Sequence, residues 1–331
     1  MRILLMLAVA LLLISCGAQM PPDQSAQPAS AEEYKETPEI PSVASAVDAG
    51  SIGTALSYLA SDALKGRASD DEGIEMAAVY IARYFEASGI KPYYPGYRDT
   101  LSNVKPATVN IVGYLEGSDP ELKHEFVVLG AHYDHIGAVE PVGGDFIANG
   151  ANDNASGTTA VMEIARKMAG SEHLKRSVMF VLFSAEERGL KGSAHLADRL
   201  DKEGVKVYAM LNFEMVGVPL EKDYTAYLTG YEMSTMAEEM NTLAGEQLIG
   251  FLPQAREYKL FQRSDNYPFY QKFGVPAQTV CTFDFTNFDF YHKPGDEFEL
   301  MNLEHMAAFV NRILPVVEGM VNSEKGVIRM K

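Results

Sequence analysis

Short segments of this chain place side chains that can bind a metal at the ends of apolar runs. They are Gly130-Ala-His132-Tyr-Asp-His-Ile-Gly137, Gly150-Ala-Asn-Asp153-Asn-Ala-Ser-Gly157, Phe183-Ser-Ala-Glu186-Glu187-Arg-Gly-Leu-Lys-Gly-Ser193, Asn212-Phe-Glu214-Met and Tyr291-His292-Lys-Pro. Two imidazoles, His132 and His292, with the carboxylates of Asp153, Glu187 and Glu214, suit a pair of zinc ions. The extra carboxylate of Glu186 is what a zinc hydrolase needs as a base. An enzyme is expected.

These side chains need elements to hold them. Val109–Leu115, Phe126–Leu129, Val178–Phe183 and Val207–Phe213 read as strands, with Tyr224–Leu228 and Ala277–Phe283 as further candidates. Helical spacing marks Ile52, Leu56 and Leu59, then Glu72–Ala87, Ser156–Met168, Ser193–Leu200, Met233–Ala244 and Asn302–Val317, where Pro315 marks a break or end. Apolar strands without polar alternation, separated by amphipathic helices, predict a sheet covered on both faces. The expected fold is a three-layer α/β/α sandwich with a mixed, mostly parallel central sheet. In such sheets the site forms beyond the carboxyl ends of strands, and His132, Glu186, Glu187 and Glu214 all follow strands.

Each residue also has a plainer reading. His132 alone could be a core histidine; Asp134, two residues on, can accept from its ring, and His135 reads as a supporting or loop residue. Asp153 stands just before a helix, where Asp and Asn commonly cap, yet a carboxylate fixed at such a turn can bridge two cations. Adjacent Glu186 and Glu187 point different ways at a strand end, so one can bind a metal while the other reaches a water on it. A buried Glu214 needs a partner to offset its desolvation. His292 follows an aromatic loop, Phe283-Asp-Phe-Thr-Asn-Phe-Asp-Phe-Tyr-His, which reads either as loop packing or as a pocket wall.

Taken in this order, the segments resemble metallopeptidase family 28, the co-catalytic zinc aminopeptidases related to glutamate carboxypeptidase II. The resemblance runs from about Leu59 to Val317 and takes in Leu59-Ala-Ser-Asp-Ala-Leu-Lys-Gly-Arg67 and Ser264-Asp265-Asn266-Tyr-Pro-Phe269. It implies two zinc ions, one on His132 and Glu214, the other on Glu187 and His292, with Asp153 between them. It further implies Glu186 as general base, Tyr291 as an oxyanion donor, a cis bond at Asp153-Asn154, and hydrolysis of peptides with a free amino terminus. Departures are Glu214 where aspartate is commoner, Asn266 in place of a histidine, and too few residues between Gly89 and His132 for a protease-associated insert. Alternatives are a single-zinc glutaminyl cyclase-like enzyme, a carboxypeptidase acting on acidic dipeptides, and a metal-silent binding lipoprotein on the same fold.

A formal charge of -17 over 331 residues argues against nucleic acid and against adsorption to anionic lipid. Ile3 to Ile14 is an apolar run too short to span a bilayer comfortably and reads as a signal-peptide core. Leu13-Ile14-Ser15-Cys16-Gly17 resembles a bacterial lipobox, which implies residues 1–15 as signal peptide and anchoring to a bacterial membrane via Cys16 in the cell envelope. Residues 16–50, rich in Pro, Ala, Ser and Gln, read as lipidated cysteine and tether. Residues 51–331 form the expected catalytic domain. With only one other cysteine, Cys281, no disulfide framework is expected.

Overall fold

Residues 37–331 are described by the computed structural model; the expected signal segment, lipobox and most of the tether lie outside them. The strands are β1 (Lys91–Pro92), β2 (Arg98–Thr100), β3 (Val109–Leu115), β4 (Glu125–His132), β5 (Gly137–Val142), β6 (Asp145–Ala148), β7 (Ser177–Phe183), β8 (Lys206–Glu214), β9 (Ala226–Leu228), β10 (Ile249–Gly250) and β11 (Ala277–Cys281). The α-helices are α1 (Ala49–Leu59), α2 (Glu72–Ala87), α3 (Gly157–Met168), α4 (Lys191–Lys202), α5 (Met236–Ala244), α6 (Pro253–Glu257), α7 (Asn266–Phe273) and α8 (Leu303–Asn322).

One nine-stranded sheet runs β1-β3-β7-β4-β8-β11-β9-β10, with β2 also on β3; β5 and β6 form a separate hairpin. The neighbours β7, β4, β8 and β11 are parallel, whereas β3 and β9 run antiparallel to β7 and β11. β7 is buried along its whole length, as its unbroken Ser-Val-Met-Phe-Val-Leu-Phe requires. Its alternate residues serve opposite faces. Val178, Phe180 and Leu182 join a core with α1, α2, α3 and α8, while Met179, Val181 and Phe183 pack with Leu196 and Leu200 of α4 and Phe269 of α7. The chain is thus a three-layer α/β/α sandwich with a mixed sheet.

From β4 the chain crosses over one face through α3 to β7, then over the other through α4 to β8. The winding reverses at β4, which opens a crevice at the carboxyl ends of the parallel strands. Helix α8 differs from expectation: it continues through Pro315 to Asn322. Val316, Val317, Met320 and Val321 beyond the proline are buried, so packing outweighs the lost backbone bond. The compact unit extends from Pro38 to Lys331. Arg166 donates to the carbonyls of Ser42 (2.6 Å), Ser45 (2.9 Å) and Ala46 (3.3 Å), so this part of the expected tether is packed on the domain.

Candidate active site

His132 is the last residue of β4 and Glu214 the last of β8, while Glu186 and Glu187 follow β7. Because those strands are adjacent and parallel, their ends deliver these side chains to one place. Asp153 reaches the same place from the turn ahead of α3, and His292 from the loop after β11. Left-handed backbone at non-glycine residues clusters here, at Ala185 (φ 58°), Met215 (φ 46°) and His292 (φ 57°), a conformation that costs about 1 kcal/mol or more per residue. The Asp153-Asn154 bond is cis.

The Asp153 carboxylate stands between two groups of potential ligands. Its Oδ1 is 3.3 Å from His132 Nε2, which is also 2.9 Å from Glu214 Oε1. Its Oδ2 is 3.2 Å from His292 Nε2, which is 3.2 Å from Glu187 Oε1. Zinc bonds of about 2.0–2.2 Å put neighbouring ligand atoms of a tetrahedral ion roughly 3.4 Å apart. The spacing and the nitrogen-oxygen donor set therefore fit an ion in each group. Glu186 belongs to neither.

Supporting bonds fix these side chains. His132 Nδ1–H donates to the Asp134 carbonyl (3.1 Å), which turns Nε2 toward Asp153 and Glu214. The Asp134 carboxylate lies 3.7 Å from the same Nδ1 and also accepts the backbone N–H of Glu186 (3.1 Å) and Glu187 (3.4 Å). Asp296 accepts the N–H groups of Asn152 (2.7 Å) and Asp153 (3.0 Å). Asn154 donates to the Phe213 carbonyl (2.9 Å) and accepts from the N–H of Met215 (3.0 Å), tying the Asp153 turn to the end of β8. Ser264 donates to Glu214 Oε2 (2.6 Å).

The buried groups of this centre shift one another strongly. Burial opposes protonation of His292, but bonds to Asp153 and Glu187 outweigh it and carry its pKa up to about 10. Burial likewise opposes a charged His132, and Glu214 and Glu186 overcome it. Burial would raise Asp153, yet His132 and His292 hold it well below the usual carboxylate range. Glu186 goes the other way, pushed well up by burial and by the carboxylates of Glu214, Asp265 and Glu187. Metal binding at such a donor set competes with protons for the imidazoles.

A model of peptidase family M28 matches residues 110–317. The chain belongs to that family. Its members are zinc-dependent peptidases. Aminopeptidase YwaD of Bacillus subtilis is 30% identical over 222 residues, 65% of this chain and 45% of that protein. The chain spans about half the length of the curated relatives it matches. Among solved structures, the LapA aminopeptidase of Legionella pneumophila superposes with a TM-score of 0.66 at 21% identity, covering 84% of this chain and 73% of that one. Glutaminyl cyclase of Porphyromonas gingivalis gives 0.64 at 17%, covering 83% and 100%. At such identities the likeness is one of fold.

Within this M28 chain, two of the three departures noted from the sequence have structural accounts. Asn266 is buried and held by hydrogen bonds, donating to the carbonyls of Phe261 and Ala277 (both 3.1 Å) and accepting from Thr279 (2.7 Å). The stretch between Gly89 and His132 is used up by β1 to β4. Tyr291 lines the cleft, stacked on His292 at 3.9 Å between ring centres.

Sequence reasoning did not single out Arg67, although it closes a segment quoted above. Fully buried, it donates to the carbonyls of Tyr133 (2.7 Å), Asn149 (2.7 Å), Gly150 (2.9 Å) and Leu59, bracing the loops that carry Asp153 and His132. An arginine after a glycine, here the last residue of a 3-10 turn over Asp62–Arg67, carries no local sign of this. Ser264 closes on Glu214 from a segment quoted above without having been given a role, and Asp296 was not singled out.

Proposed function

We propose that the chain is a di-zinc aminopeptidase that releases amino-terminal residues from peptides. The observation that carries this reading is Asp153, each of whose oxygens faces a different group of potential ligands, with Glu186 beside both. When bound, the two ions supply Lewis acidity and a water of lowered pKa. His132, Asp153 and Glu214 would hold one, and Asp153, Glu187 and His292 the other. Glu186, with its raised proton affinity, takes a proton from the attacking water and returns it to the leaving amine. The Tyr291 hydroxyl, at the cleft wall, is the candidate donor to the oxygen that gains charge. Tyr227, Leu260, Phe283 and Phe285 line the cleft beside these carboxylates and favour an apolar amino-terminal side chain. Export and anchoring through Cys16 belong to the same proposal.

A second reading is glutaminyl cyclization with a single zinc, favoured by the fold match that spans the whole Porphyromonas enzyme. Metal content and product separate the two. Two zinc ions per chain, with chelator-sensitive release of chromophore from aminoacyl anilides, are expected of the aminopeptidase. One ion, no anilide release and cyclization of amino-terminal glutamine would replace it with the cyclase. A chain that takes up no metal would end both.

A further inference from the structure

His135 stands one turn of loop beyond β4 and takes no part in the ligand set implied by the family resemblance. Its Nδ1 lies 3.0 Å from Glu187 Oε1 and 3.9 Å from Asp153 Oδ2. These are the same two oxygens that His292 Nε2 faces at 3.2 Å each. An ion bound between them would have an imidazole nitrogen on either side. The candidate donor atoms of His135, Asp153, Glu187 and His292 all lie within 4.8 Å of one another.

Its seat is built as well as near. The ring is buried, and its Nε2 has no hydrogen-bond partner among the described residues, so its polar contacts are all on the Nδ1 side. Gly150, at φ +60°, makes the room: a Cβ there would lie 2.6 Å from the His135 ring. His135 and His292 meet edge to face, 5.6 Å between centres.

We infer that His135 is a third imidazole ligand, completing a site of four protein donors with Asp153, Glu187 and His292. This rests on the metal reading proposed above. It makes the two ions unequal. The His135 site is closed by protein on four sides, as structural zinc sites are, whereas His132, Asp153 and Glu214 leave a coordination position for water or substrate. The first ion to load, and the last to leave, is the one on His135. Turnover then centres on the ion beside Glu214.

The test uses the chain stripped with chelator and reloaded with Co2+. Proton NMR of the loaded protein counts exchangeable, hyperfine-shifted imidazole N–H signals, which arise only from rings bound to the ion. Three signals are expected in the wild type and two in His135→Gln. The variant should also bind its first Co2+ more weakly by more than the ~10–100-fold that loss of an outer hydrogen-bond partner costs. Two ions with two signals in the wild type would overturn the inference and leave the di-metal reading standing. Three signals without anilide release would uphold it while ending the aminopeptidase reading. No Co2+ uptake would overturn both. The wild-type count decides the matter even if the variant fails to fold.

Discussion

Glu186 and Glu187 are chemically identical and adjacent, and the fold sends them to different fates. Glu187 meets His292 and His135, which hold its carboxyl below the ordinary range against burial and Asp153. Glu186 is pushed up by burial and neighbouring carboxylates. On the di-zinc reading proposed above, Glu186→Gln should keep two zinc ions by elemental analysis yet lose about 10²–10⁴-fold in kcat, the usual worth of a general base. Retained activity would reassign the base. The sequence made His132, Glu186, Glu187 and Glu214 readable as candidates because each follows an apolar run. It could not show that His135 faces the same oxygens as His292, because a histidine in a loop looks the same whichever way its ring turns. Nor could it show Arg67 or Asp296, whose partners are backbone groups remote in the chain.

Among the elements, the long buried strands and α2 were the most legible, since hydrophobic period alone defines them. The short strands β1, β2 and β10 were not, being set by pairing with neighbours rather than by pattern, whereas β9 falls within the candidate Tyr224–Leu228. Pro315 misled because a local helix breaker was overridden by a buried face beyond it. Helix α4 shows how an element positions chemistry. Its Gly192 lies so close to the turn after β7 that a Cβ would stand 2.2 Å from the Ser184 carbonyl and 2.4 Å from Asn110 Oδ1. Gly192→Ala should therefore displace the turn bearing Glu186 and Glu187. Expected are a stability loss of about 1–3 kcal/mol in urea unfolding and a fall in kcat with metal content reduced. An unchanged unfolding midpoint would show that the turn yields freely.

At the scale of the molecule, the folded unit reaches back beyond the boundary read from composition. Asp48 caps α1 by accepting the Ser51 N–H at 2.9 Å, and Asn311 donates to the Val47 carbonyl at 2.8 Å. Arg166, bound to Glu163 and to the carbonyls of Ser42 and Ser45, would lose acceptors if the chain began later. A chain starting at Ser51 should be about 2 kcal/mol or more less stable than one starting at Pro38, from the lost cap and the exposed guanidinium bonds. Equal melting temperatures would show that residues 38–50 merely rest on the surface. The borders of the sheet carry a last consequence. One side of β3 is occupied in two short pieces, β1 and β2, the first of them an exposed lysine and proline, and the far border is β10, two residues long. Borders this short, with lysine and proline on β1, are poor templates for edge-to-edge pairing. On the aminopeptidase reading proposed above, the borders of the main sheet give a peptide little to pair with as an extra strand. Its end and its side chains are then the handles left for recognition.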